Sequence, residues 1–168
     1  MKKVLMTLLA AVLVIAAQAQ NDKLIKHTGE KLEVKILKVA EWTISFTYPG
    51  ETAEQLIGKY AIAKIEYASG RKEDVTEKVT IAGEDDWEKV VVVEDKSAVI
   101  GLKKMDEIRG KTNAVQLIGT AAMNDTKSLM KLKKAAAALG APFVLITSDK
   151  DNQFTTQSIK KGLAYGYK

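Results

Sequence analysis

Few side chains in this sequence could do chemistry, and they stand far apart. His27 is the only histidine, so a Ser-His-Asp triad would have to use it and a multi-histidine metal site is impossible. It precedes a Thr28-Gly29 turn, where an exposed ring is expected and no second ligand is evident. There is no cysteine, which excludes thiol nucleophiles, Cys-rich zinc sites, redox work and a lipid-modified cysteine anchor. Glu84, Asp85 and Asp86 are adjacent acids beside Gly83. Glycosidase chemistry needs two carboxyls roughly 5 to 9.5 Å apart across a cleft, one of them held protonated. Three neighbours in a Gly-containing linker read instead as ionised and solvated. Asp149, Asp151 and Gln153 imitate the start of a calcium loop, but Phe154 stands where the glycine is needed and Lys160 where the bidentate acid is needed. Ser97, Ser128 and Ser158 lack a nucleophile-elbow context, and no Gly-rich phosphate loop is present. The expectation is a protein with no catalytic residues, no metal and no cofactor.

Two groups of residues could bind rather than react. Trp42, Ile44, Phe46 and Tyr48 alternate with Thr43, Ser45 and Thr47. Such a stripe is either the core face of a strand or a stacking platform for a sugar or peptide, which makes Trp42, Phe46 and Tyr48 the ligand-binding candidates. Lys127, Lys131 and Lys134 recur at helical spacing with Lys133 nearby, and no acid follows Asp125 among them. They form either a solvated helix face or a surface for an anionic partner such as lipid headgroups or lipopolysaccharide.

The elements that must hold these residues change character along the chain. From Lys23 to about Ile81 the pattern is one of short strands. Leu24-Ile25 leads into the Thr28-Gly29 turn, and Leu32, Val34 and Ile36 alternate with Glu33 and Lys35. The alternation slips at Ile36-Leu37, which predicts a β-bulge. Trp42 to Tyr48 is the cleanest strand and Pro49-Gly50 ends it. Gln55 to Ala63 reads as a loop with a helical turn near Ala61 to Lys64. Ile65 and Tyr67 begin another strand, which turns at Ser69-Gly70 and returns over Arg71 to Val75. Short curved strands in this number predict a small β-barrel or rolled sheet.

Gly83 to Asp86 marks a boundary. Trp87 then opens a strand centred on Val90 to Val93, a continuous apolar run suited to burial on both faces. Residues 98–111 read as strand and turn, and Val115 to Ala121 as a further strand. The clear helix follows, with Asn124 or Asp125 as its cap and Leu129, Leu132, Ala136 and Leu139 on one face. Gly140 stops it and Pro142 blocks continuation. Phe143 to Thr147 is a strand, Asp149 to Gln157 a polar loop, and Leu163 to Lys168 a closing strand. The class is therefore α+β: residues 20–82 form the small β-domain, and residues 83–168 form a sheet covered by one main helix.

Residues 1–19 carry a separate signal. Lys2 and Lys3 precede an apolar run from Val4 to Ala17, and Ala17-Gln18-Ala19 is a small-x-small cleavage triplet. This is the pattern of a secretory signal peptide, shorter than the ~20 apolar residues of a membrane span. The expected product begins at Gln20, is periplasmic or secreted, and does not span the membrane. Of the 26 basic residues, Lys2 and Lys3 leave with the leader, against 21 acidic residues that remain. So small an excess is no nucleic-acid footprint.

The run from Leu132 through Gly140-Ala141 to Phe143-Val144-Leu145-Ile146-Thr147, with the closing Gly162-Leu163-Ala164-Tyr165-Gly166-Tyr167-Lys168, resembles the C-terminal part of small periplasmic proteins of the YdgH, BhsA and YhcN type. RcsF-like sensors and YbjQ-like domains have a similar helix, Gly-Ala and strand step. The resemblance covers residues 132–168 only and implies an α+β fold and a role in envelope stress or surface phenotypes. It brings no catalytic residues, and the RcsF-like disulfides have no counterpart here. The expectation is an exported, non-enzymatic envelope protein acting on another envelope protein or a surface glycan or lipid. The second expectation is a binding module for a small apolar or glycan ligand.

Overall fold

The computed structural model describes residues 21–112, 121–152 and 157–167. The strands are β1 (Asp22–Lys26), β2 (Lys31–Val39), β3 (Thr43–Thr47), β4 (Gln55–Gly58), β5 (Ile62–Glu66), β6 (Lys72–Asp74), β7 (Val91–Val93), β8 (Lys103–Lys111), β9 (Phe143–Asn152) and β10 (Gln157–Gly166). Helix α1 (Ala121–Ala138) joins β8 to β9. Short 3-10 turns lie at Lys59–Ala61, Glu84–Lys89 and Lys96–Val99.

The strands make two sheets of mixed α+β architecture, and neither closes into a barrel. The first is antiparallel, in the order β4-β3-β2-β1-β5-β6. Its ends, β4 and β6, have no strand-to-strand pairing with each other, which corrects the barrel expectation. The bulge is present, with the register shifting between Ile36 and Lys38. Gly29 at φ 89° and Gly70 at φ 85° supply the left-handed residues of two tight turns. The second sheet has the order β7-β9-β10-β8, with β7 parallel to β9 and the other pairs antiparallel.

Alternation along β9 sorts the layers. Phe143 and Leu145 enter a cluster with Leu24, Val34, Ile44, Phe46, Ile57, Ile62 and Ile65 of the first sheet. Val144 and Ile146 face the other way, onto Leu132, Ala136 and Ala137 of α1. The second sheet thus lies between the helix and the first sheet, and residues from both sides of position 83 share one core. Each sheet face gains its stability by removing these apolar side chains from water.

Several local readings differ from the sequence pattern. Residues 55–58 pair with β3 as strand β4, and the helical turn comes earlier than expected, at Lys59–Ala61. Trp87 sits in a 3-10 turn instead of opening a strand. Residues 96–99 form a 3-10 turn before β8 begins. The helix starts at Ala121, so Asn124 and Asp125 lie inside it and do not cap it. Its end is as expected: Gly140 is at φ 68°, and the Ala141 N–H donates to the Ala136 carbonyl at 2.9 Å. The 149–157 loop is replaced in large part by β9 and β10, whose pairing reaches Asn152 and Gln157. The expected strand over 115–121 falls mostly outside the described residues, as does the leader at 1–19.

Candidate functional site

A cavity among the described residues lies where β7 stops short. That strand stops at Val93, opposite Leu145, while β9 runs on to Asn152. Beyond the stop, the edge of the second sheet has no β7 neighbour, and α1 and the first sheet leave a space of about 720 Å³. This lies within the ~300–1,000 Å³ typical of small-molecule sites. Val92, Val93, Leu129 and Ile146 give it apolar walls, and Trp42 and Tyr60 give it aromatic ones.

Two neighbouring corners of the first sheet position the aromatics. Trp42 occupies the tight corner between β2 and β3, where the Ala40 N–H donates to the Thr43 carbonyl at 2.8 Å. The Lys59 N–H donates to the Trp42 carbonyl at 2.9 Å, tying that corner to the turn that carries Tyr60. The Tyr60 ring packs on Phe143, centroids 4.9 Å apart. Trp42 keeps 40% of its surface exposed, as a ligand-contacting ring must and a core ring does not.

The polar side of the cavity holds an ion pair between a buried lysine and a part-exposed aspartate. Lys160 Nζ lies 2.6 Å from Asp125 Oδ1, with the lysine side chain only 5% exposed and the aspartate 40%. Alternation in β10 explains the inward lysine. Positions 160, 162 and 164 share the helix-facing side: a β-carbon at Gly162 would stand 3.5 Å from the Leu132 side chain, and Ala164 packs in the helix cluster. At the end of β7, Glu94 and Asp95 line the mouth. The Asp95 side chain accepts from the Ser97 N–H at 2.7 Å, capping the 3-10 turn. Hydrogen bonding from Ser97 holds its carboxyl below the usual carboxylate range, so it is ionised at neutral pH.

The expected aromatic stripe is not one surface. Trp42 lines the cavity, Phe46 is in the core at 4% exposure, and Tyr48 is exposed at the far end of β3. Phe46 and Tyr48 meet edge to face at 5.5 Å. Burial of Phe46 leaves no platform for a ligand there. The helix lysines are engaged with neighbouring segments. Lys131 Nζ donates to the Lys111 carbonyl at 2.9 Å, and Lys133 Nζ donates to the Glu88 carbonyl at 3.0 Å. Lys134 lies 3.8 Å from Glu84, an acid brought from outside the helix, and Lys127 is also partnered. Asp86 accepts from the Ala82 N–H and pairs with Lys89, so the acidic run stitches its own turn.

His27 is half-buried, not an open turn residue. Its Nε2 is 2.9 Å from Thr76 Oγ1, and its ring lies 5.0 Å from that of Tyr167. The Thr76 hydroxyl donates to the Ile62 carbonyl at 2.8 Å, so the histidine nitrogen is the donor to Thr76. Burial, with Lys78 nearby, lowers the pKa from 6.5. Because the folded state binds the proton less readily than the unfolded chain, stability is full above about pH 6.5 and declines as pH falls toward the folded pKa. The urea midpoint is expected to drop as pH falls below about 6.5, and His27→Gln to flatten that drop. The lowered carboxyls Asp86 and Asp95 act in a separate window, below their ordinary value of 3.8. A wild-type profile flat over the upper window would contradict the assignment.

Tyr60, Glu94, Asp95, Asp125, Leu129 and Lys160 escape sequence reasoning as a group because separate segments supply them. One signal is present in the sequence: Lys160 shares its strand phase with Gly162 and Ala164, which marks it as helix-facing. Among the described residues no group of three or more His, Cys, Asp or Glu is placed to hold a metal ion, and no helix is long and apolar enough to cross a membrane. No family model matches the chain, and no curated protein or solved structure is significantly similar to it.

Proposed function

We propose that this chain is an exported, non-enzymatic ligand-binding protein of the cell envelope whose small ligand enters the cavity beside Trp42. The observation that carries the reading is the cavity itself: about 720 Å³ of space with a part-exposed tryptophan and a tyrosine in its wall. The leader pattern of residues 1–19 supports the export, and the resemblance of residues 132–168 to small periplasmic proteins fits the same compartment. Among the described residues, the cavity lining contains no serine, threonine or histidine.

Trp42→Ala tests it. Because Trp42 is 40% exposed, its loss is expected to cost less than about 2 kcal/mol of stability, well under the roughly 3–5 kcal/mol of a fully buried aromatic. The protein purified from its own envelope is expected to carry a small molecule detectable by native mass spectrometry, and Trp42→Ala to lose it while remaining folded. An equally loaded variant would overturn the assignment.

A second reading, docking of an envelope protein, has one observation in its favour. Leu37 and Leu56 are both exposed, and Ser45 between Lys38 and Leu56 in the register is nearly covered. Crosslinking in the envelope separates the two: a partner joined through β2 or β4 supports docking, and a vacant chain with no partner supports neither.

A further inference from the structure

The cavity lining is opposite in sign to the chain that surrounds it. The formal net charge of the whole sequence is +5, yet among the described residues Glu94, Asp95 and Asp125 line the cavity together with a single ammonium, Lys160. That ammonium is compensated within the wall by Asp125 at 2.6 Å. Glu94 and Asp95, at the mouth, therefore set the sign of the potential a ligand meets. A cleft with apolar walls focuses that field and raises the local concentration of cations.

The aromatic walls act in the same direction. Trp42 and Tyr60 line the cavity, and the face of an aromatic ring attracts an organic cation, tryptophan most strongly. The placement of the carboxylates argues against a bare metal ion. They do not form a convergent metal-ligand group, and Asp125 is already held by Lys160. A calcium ion needs about six to eight oxygens around one point. Carboxylates spread along a wall suit instead a diffuse charge carried on an apolar body. The remaining lining, Val92, Val93, Leu129 and Ile146, would receive that body.

Resting on the reading of the cavity as a ligand site, we infer that its ligand is an organic cation: a substituted ammonium or guanidinium placed near Glu94 and Asp95, with an apolar portion against Trp42, Tyr60 and Ile146. The Lys160–Asp125 pair stays intact as part of the wall, and it removes the positive charge that would otherwise repel such a ligand.

The test uses three probes on the purified chain, followed by calorimetry and tryptophan fluorescence. They are benzyltrimethylammonium, its neutral carbon isostere 2,2-dimethylpropylbenzene, and maltose. The cation is expected to bind at least about tenfold more tightly than the isostere. Raising the salt from about 20 to about 500 mM is expected to weaken the cation severalfold and leave the isostere unchanged. Glu94→Gln combined with Asp95→Asn is expected to reduce the preference to about twofold or less; asparagine still caps the 3-10 turn, so the fold is preserved. Equal binding of cation and isostere, or binding of maltose in place of the cation, overturns the charge assignment and leaves the cavity as a ligand site. Binding of none of the three, with Trp42 unresponsive, overturns both.

Discussion

Gly110→Ala is expected to lift helix α1 off its sheet and destabilise the protein by about 4 kcal/mol or more, in the exceptional range for a single methyl group. Gly110 is buried in β8 with its Cα against the helix backbone. A β-carbon there would collide with the Ser128 carbonyl oxygen and stand 2.8 Å from the Leu132 nitrogen. Both obstacles are helix backbone, which no rotamer change can move aside. The helix would have to retreat as a body, taking Leu132 and Ala136 out of close packing with Val144 and Ala164. Asp125 and Leu129 are on the same helix, so the cavity would lose one wall and the Lys160 pair its geometry. Ligand binding is therefore expected to fail even at temperatures where the variant stays folded. Gly83→Ala is the control. Its backbone is extended at φ 175°, nothing lies within 4 Å of the added carbon, and near-neutral behaviour is expected. Urea denaturation of both variants checks the claim, and a Gly110→Ala midpoint close to wild type would refute it.

That glycine also shows where sequence reading stops. Gly110 reads from the sequence as a mark of strand and turn, and it does lie in a strand, but the feature that requires glycine is a helix that begins well beyond it in the chain. Local grammar is legible wherever a single segment decides its own structure. The alternation of Leu32, Val34 and Ile36, with its slip at Ile36-Leu37, marks both the strand and its bulge. The stop of α1 at Gly140 is legible because left-handed backbone favours that residue. Strand β4 is not, because Gln55-Leu56-Ile57-Gly58 has too few residues to show a period, and its pairing with β3 decides the matter. The site divides in the same way. Trp42 stands out by its type, but Phe46 on the same strand pattern points into the core, and Lys160 enters the sequence reading only as a residue that spoils a calcium loop. Which side chains share a cavity is set by where β7 stops and by how the layers stack, and no short window of sequence records that.

Phe143→Ala is expected to cost about 3–5 kcal/mol and to lower the stability of both sheets together. The ring is fully buried where the two sheets meet. It packs on Tyr60 at 4.9 Å on one side and meets Tyr167 edge to face at 5.6 Å on the other. Tyr167 in turn holds the His27 ring, and its hydroxyl accepts from the Val79 N–H at 2.9 Å. Removing the phenyl ring therefore opens a void between layers and loosens two tyrosines that reach different regions, the cavity beside Trp42 and the histidine corner. The two tryptophans allow each layer to be followed separately: Trp42 reports the first sheet, and Trp87 reports the helix side, where it packs with the α1 cluster. In single-tryptophan variants the two unfolding curves are expected to coincide, and Phe143→Ala to shift both by the same amount, because one core cannot lose its central ring on one side only. Two separated transitions, with Phe143→Ala moving just one, would mean that the residues before and after position 83 fold independently. Phe143→Leu, which keeps most of the apolar volume, is expected to cost less than about 1.5 kcal/mol. Its ligand affinity should nonetheless fall, since leucine gives Tyr60 no aromatic face to pack on and the cavity wall loses its fixed position.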